Sequence, residues 1–254
     1  MKLLFIEHKG EYDKYTFPYS VYGVKEEYDS YDQIYEIGML QSRLAKELFY
    51  LARSARVKIN DFLMNSENRR IERKTDFLRV ELHPLNEFNY DFTIGKFAKD
   101  FYDQKFGEGT MSAQKMKWIF TSDTFTHVLL YKDKDNTTLG YCPIIMTKKM
   151  MHYAYPFYDL SHPSKDLGMG MMLLAIKKAK ELALDYVYLG TVYTETSLYK
   201  AQFNGFEYFN GCKWDSDIED LKDTIRNNIY EDPIKEKFTR KEILENAKIT
   251  VRLT

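Results

Sequence analysis

His152–Trp214 reads HYAYPFYDLSHPSKDLGMGMMLLAIKKAKELALDYVYLGTVYTETSLYKAQFNGFEYFNGCKW. An aromatic, strand-like run (Met150 to Tyr158) leads into a loop, and the loop into Lys165-x-x-Gly168-x-Gly170. From Ser164 to Leu184 the spacing predicts a helix: Met172, Ala175, Ala179 and Leu182 recur at three and four residues. Other large apolar residues (Met169, Met171, Leu173, Leu174, Ile176) widen that face, as expected of a helix covering a sheet. A second aromatic strand follows at Tyr186 to Tyr193, then a short helix carrying Tyr199, then Gly205-Phe206 and another strand. Glycines at the mouth of a helix let backbone amides approach a phosphate or a carbonyl, and the helix N-terminus adds partial positive charge. Lys165 stands where its ammonium could join them. Taken alone, the same spacing also describes a glycine-softened helix start.

The chain on either side is ordinary in bulk. Its 254 residues can bury a real core in one large or two small domains. A formal net charge of -1 gives no global pull toward polyanions, so a nucleic-acid site must be a local patch. Cys142 and Cys212 are far apart and form neither a metal-binding pair nor a disulfide framework, which fits a reducing cytoplasm. The apolar run Leu3 to Ile6 is too short for a signal peptide and reads as a short strand or a tethered terminus. No apolar run approaches a membrane span.

Residues 11–33, with Pro18 and Gly23, read mostly as loop. Ile34, Ile37, Leu40, Leu44, Leu48 and Leu51 recur at helical spacing, with Gly38 as a break. Arg53 to Lys74 is the most basic segment, and it reads either as a solvated face or as a phosphate-contacting patch. Residues 93–106 predict an amphipathic helix ended by Gly107 to Gly109. Thr126 to Tyr131, Thr138 to Met146 and Met150 to Tyr158 predict an antiparallel meander. After Trp214, Ser216-x-x-Glu219 is a capping box before the stripe Ile218, Leu221, Ile225 and Ile229. Thr239-x-x-Glu242 is a second such signal.

Tyr199 reads as one packed tyrosine among many, Asp159 as a loop cap and Lys200 as a surface lysine. His152 and His162 are isolated in sequence, and no Ser-His-Asp or Cys-His set can be assembled.

The order of parts resembles the GNAT superfamily of acyltransferases. Its motif Q/R-x-x-G-x-G/A grips the pyrophosphate of acyl-CoA, and a downstream Tyr often protonates the leaving thiolate. Lys165-x-x-Gly168-x-Gly170 and Leu198-Tyr199-Lys200-Ala201-Gln202-Phe203-Asn204-Gly205-Phe206 are the counterparts here. A narrower resemblance, over about residues 31–214, is to the arginyl- and leucyl-tRNA–protein transferases, which share that fold. It rests on Phe157-Tyr158-Asp159, Leu167-Gly168, Tyr186 to Gly190, Leu198-Tyr199-Lys200 with Phe203, Gly205, Glu207 and Trp214, and on Arg56-Val57-Lys58-Ile59 with Phe62, Ser66 and Arg69-Arg70.

This resemblance implies an α+β fold, with a GNAT-like acyltransferase core over 111–214 and a smaller N-terminal region over 1–110, while the caps and stripe after Trp214 read as a helical C-terminal appendage over 215–254. It implies transfer of an amino acid from aminoacyl-tRNA to a protein or peptide with an acidic N-terminus. Tyr199, Asp159 and Glu207 are then the catalytic candidates: Tyr199 the general acid, since a phenol suits a basic leaving group, and Asp159 or Glu207 to hold or deprotonate the attacking amine. Lys165, Gly168, Gly170 and Lys200 would bind the donor, and Arg53, Arg56, Arg69 and Arg70 the RNA. The family's cysteine cluster is replaced by Tyr50-Leu51-Ala52-Arg53-Ser54-Ala55, so neither a metal nor an iron–sulfur cluster is expected. The element G-x-R-R-S-G is reduced to Gly38-Met39-Leu40-Gln41-Ser42. The alternatives are an acetyl-CoA-dependent N-acetyltransferase and an inactive module that reads N-termini or RNA.

Overall fold

The computed structural model describes residues 1–7, 19–43 and 45–227. The chain forms two compact units, Met1–Arg56 with Leu189–Thr254, and Val57–Tyr188. These limits differ from the segment limits read from the sequence at 110/111 and 214/215. The expected stripe residue Ile229 and the Thr239-x-x-Glu242 signal lie outside the described residues.

In the first unit, β1 (Lys2–Glu7), β2 (Tyr19–Val24), β3 (Met39–Gln41) and β4 (Leu48–Leu51) form an antiparallel sheet in the order β1-β2-β4-β3. Residues 19–24, read as loop, are therefore a strand, with Leu4 opposite Tyr22 and Tyr22 opposite Tyr50. The helix expected over 34–51 is only α1 (Tyr31–Glu36), capped by Ser30 with Gln33 in a capping box. Gly38, at φ +80°, turns the chain out of the helix. A Cβ there would lie 2.2 Å from the Phe209 ring, so only glycine fits. Beyond it, Leu40, Leu48 and Leu51 sit on two paired strands, and their helical spacing is a coincidence of register. Tyr35 and Phe49 meet edge to face in the core of this unit.

The C-terminal part of this unit carries a 3₁₀ segment (Glu195–Gln202), β12 (Phe206–Phe209), β13 (Trp214–Asp215) and α6 (Ile218–Arg226). In strand order β12 lies between β13 and β5 (Ser54–Lys58). The cap of α6 is Asp217, whose carboxylate accepts from the Glu219 and Asp220 amides, rather than the expected Ser216. A carboxylate at a helix N-terminus also gains from the dipole.

The second unit opens with a 3₁₀ turn (Ile59–Asp61) and α2 (Ser66–Lys74), capped reciprocally by Asn65 and Asn68. Then come β6 (Arg79–Pro84), α3 (Phe92–Phe106), α4 (Ala113–Thr121), β7 (His127–Lys132), β8 (Thr138–Met146), β9 (Met150–Tyr153), β10 (Phe157–Tyr158), α5 (Leu167–Glu181) and β11 (Tyr186–Thr191). The sheet order is β11-β9-β8-β7-β6, with β10 on β8. The expected meander is present, but its last strand divides at Pro156, which has no N–H for a ladder. β9 and β11 are parallel, joined through α5, and the fold is mixed α/β with a mixed sheet. Val128, Leu129, Ile144, Met151 and Val187 on the strands are buried, as are Ala175, Ile176 and Ala179 on α5. Among the described residues no helix is long and apolar enough to cross a membrane.

Candidate active-site residues

In the second unit the two glycines lie inside the first turn of α5, after the N-cap Asp166. Gly170 N already donates to Asp166 O at 2.8 Å. A Cβ on Gly168 would lie 2.7 Å from Tyr158 Oη, and one on Gly170 would lie 2.6 Å from Thr75 Oγ1. Both glycines therefore admit a close approach from the chain itself. Tyr158 is held over Gly168 by the Phe101 ring, with centroids 4.8 Å apart, and its hydroxyl accepts from Lys105 Nζ. Tyr158 falls in the motif Phe157-Tyr158-Asp159, whose spacing names no partner for it. Lys105 and Thr75 were not anticipated, because nothing in their local spacing ties them to residues 158 and 170.

Arg70 forks two carboxylates. It meets Glu67 at 2.6 and 2.8 Å and Asp166 at 3.1 and 3.2 Å. The hydrogen bond from Arg70 holds the Asp166 carboxyl below its usual range against the opposing effect of burial, and Lys74 adds to the lowering. The α2 guanidinium thus ties α2 to the N-terminus of α5. Arg69 is exposed and donates to Met64 O, and Lys165 is exposed. Asp159 caps its own turn, accepting from Ser161 N at 2.8 Å and from Ser161 Oγ at 2.6 Å.

In the first unit, Arg53 and Arg56 are buried, at 5% and 4% exposure. Arg53 N donates to Tyr193 Oη, and the guanidinium carbon lies 5.3 Å from that ring. Arg56 Nε donates to Glu207 at 2.7 Å and its Nη1 to Glu36 at 2.8 Å, with the guanidinium 4.0 Å from the Trp214 ring. Trp214 Nε1 donates to Glu36 O. The phosphate contacts expected of Arg53 and Arg56 give way to internal pairing. Arg56 lies in β5 and Arg53 just before it, and inside the unit their guanidiniums meet ring faces and, for Arg56, carboxylates. Glu207, expected to serve an amine, is committed to Arg56.

Tyr199 is 44% exposed on the 3₁₀ segment. Lys200, its neighbour, is buried instead of reaching a surface phosphate, and its Nζ donates to Thr191 O at 2.6 Å. Burial pushes the Lys200 ammonium down to about 8. Gly190, at φ +81°, lies against it: a Cβ there would make ordinary contact with Nζ at 3.9 Å.

Residues 93–210 match the family model "Arginine-tRNA-protein transferase, C terminus". The match covers a little under half of the chain. The aspartate/glutamate leucyltransferase of Alkalilimnicola ehrlichii is 35% identical over 86 residues, covering 33% of this chain and 36% of that protein. That of Parvibaculum lavamentivorans is 28% identical over 141 residues, with 54% and 57% covered. That of Ruegeria sp. is 28% identical over 170 residues, with 63% and 60% covered. The chain thus spans between about a third and three fifths of the length of these relatives. Among solved structures, L-PGS from Bacillus licheniformis is 10% identical at a TM-score of 0.43, covering 56% of this chain and 46% of that one.

Proposed function

We propose that the protein transfers an amino acid from aminoacyl-tRNA to the α-amine of a protein or peptide with an acidic N-terminus. The observation that carries this reading is the family match over residues 93–210, a span that includes Tyr158, Gly168, Gly170, Tyr199 and Lys200. The packing supports the same donor. An acyl-CoA site of the Gly-x-Gly kind needs open space at the glycines, and Tyr158 and Thr75 fill it.

The chemistry asked of the chain is modest. An ester carbonyl is attacked by a neutral amine, and most of the acceleration comes from holding the two in line. Tyr199, half-exposed, serves as the acid that protonates the leaving ribose oxygen. Exposed Arg69 and Lys165 supply the surface charge for the RNA backbone.

Purified protein, charged tRNA carrying radiolabelled leucine or arginine, and a peptide beginning with Asp or Glu test the reading. Label is expected to move to the peptide, and Tyr199→Phe to slow single-turnover transfer roughly 10²-fold. Absence of transfer from every charged tRNA, with acetyl transfer from acetyl-CoA instead, would establish the N-acetyltransferase. Binding of tRNA at stated salt with no transfer and no response to Tyr199→Phe would establish a binding module.

A further inference from the structure

Four carboxylate or amine groups were expected near the chemistry; Lys165 is exposed, and two others have internal work. Glu207 accepts from Arg56, and Asp159 closes a turn with Ser161. Lys200 differs. It is 8% exposed, its Nζ has the single acceptor Thr191 O, and no carboxylate pairs with it among the described residues. An ammonium has three N–H donors, so a buried one with one acceptor is poorly satisfied. Gly190, at φ +81°, lies against Lys200: a Cβ there would stand at ordinary contact distance, 3.9 Å from Nζ.

The elements packed on the 3₁₀ segment do not supply the missing counter-charge. On β12, Tyr208 donates to Asp220 of α6. On α6, Glu219 pairs with Lys222 and Asp223 with Arg226. Burial is the sole cause of the lowered proton affinity of Lys200, whose value of about 8 matches that of the α-amine it would serve. The exposed Tyr199 ring lies 5.8 Å from Nζ, on the adjoining residue.

Resting on the transferase reading, we infer that Lys200 is the general base of the reaction, taking the proton from the attacking α-amine. The amine nitrogen forms its bond to the ester carbonyl carbon and passes one proton to neutral Lys200. The bond from that carbon to the ribose oxygen breaks, and Tyr199 gives its proton to the departing oxygen. Lys200, now an ammonium, returns its proton to the Tyr199 phenolate, which restores both groups. An amide and a ribose hydroxyl result, with no proton gained or lost.

The test is single-turnover transfer from charged tRNA to the peptide, with melting temperature measured on the same proteins. Lys200→Met is expected to lose roughly 10²-fold or more in rate. Its melting temperature should be unchanged or higher, because a buried charge is replaced by an apolar chain of similar length. Lys200→Arg keeps a donor for Thr191 O but cannot release its proton, and is expected to be as slow. The wild-type log rate should climb with a slope of roughly two below pH 7.5, as amine and lysine both deprotonate, and that of Lys200→Met with a slope of roughly one.

A Lys200→Met or Lys200→Arg protein within tenfold of wild type overturns the assignment and leaves the transferase reading standing. A fall in melting temperature of Lys200→Met with an active Lys200→Arg overturns it in favour of a strut to Thr191. Wild-type protein that transfers nothing from any charged tRNA overturns the underlying reading itself.

Discussion

Arg56→Ala is expected to lower stability by about 2–4 kcal/mol, and the melting temperature by about 5–15 °C. The guanidinium is the hub of a buried set: it satisfies Glu207 and Glu36 and lies on the Trp214 face. Removing one member of a buried ion pair strands its partner, at about 3–5 kcal/mol when both are fully enclosed. Here Glu207 keeps 23% and Glu36 keeps 54% of side-chain exposure, so water takes over part of the lost contact and the figure falls. Loss of the stack on Trp214 adds roughly 1 kcal/mol. Arg56→Lys should recover less than half, because one ammonium cannot fork two carboxylates and lie flat on an indole. Thermal unfolding followed by circular dichroism measures this. A phosphate-binding arginine would behave oppositely: Arg56→Ala would leave the melting temperature alone and reduce the salt dependence of RNA binding by about one unit of slope. That second outcome would return Arg56 to the RNA surface.

Such pairings explain where sequence reading succeeds and where it stops. α5, β11, α3, β7 and β8 were legible because each carries its own periodicity over enough residues to outvote coincidence. Residues 34–51 failed for the opposite reason. Two short strands separated by a turn produced helical spacing, and the left-handed Gly38 alone marked the boundary. α4 went unread although Met116, Ile119 and Phe120 are its buried face, because three residues in a nine-residue helix are a weak pattern. At the candidate site, the glycine pair, Tyr199 and Lys200 were visible as motifs, whereas their environments were not. Arg56 and Glu207 are 151 positions apart, and Gly170 lies in α5 while Thr75 caps α2, so no local spacing links either pair. Charge alone made Arg53 and Arg56 look like surface cations. The fact that they flank a strand core (Ser54, Ala55 and Val57 are all buried) is what turns them inward.

Gly170→Val is expected to cost about 3 kcal/mol or more, and Gly170→Ala about 1–2 kcal/mol, measured by urea unfolding. Two effects oppose each other in the alanine variant. A helix gains up to about 1 kcal/mol when Gly becomes Ala. Against it, the new methyl would stand 2.6, 2.7 and 2.8 Å from Oγ1, Cγ2 and Cβ of Thr75. Thr75 cannot swing aside. Its β-branched side chain is buried and stiff, its hydroxyl donates to Ile71 O, and it caps α2. Overpacking of this kind costs about 1–3 kcal/mol and so outweighs the helix gain. Gly168→Ala should be milder, because its obstacle is the far end of the Tyr158 side chain, whose shift costs the Lys105 hydrogen bond rather than a packed threonine Cβ. Thr75→Gly removes all three clashing atoms, so in that background Gly170→Ala should become neutral or stabilising, a coupling of about 1–3 kcal/mol. A glycine kept open for a pyrophosphate would give another pattern: Gly170→Ala would hold or raise stability in the wild-type background and would abolish binding of CoA. The sign of that single change separates a helix packed against its own chain from one left open for a phosphate.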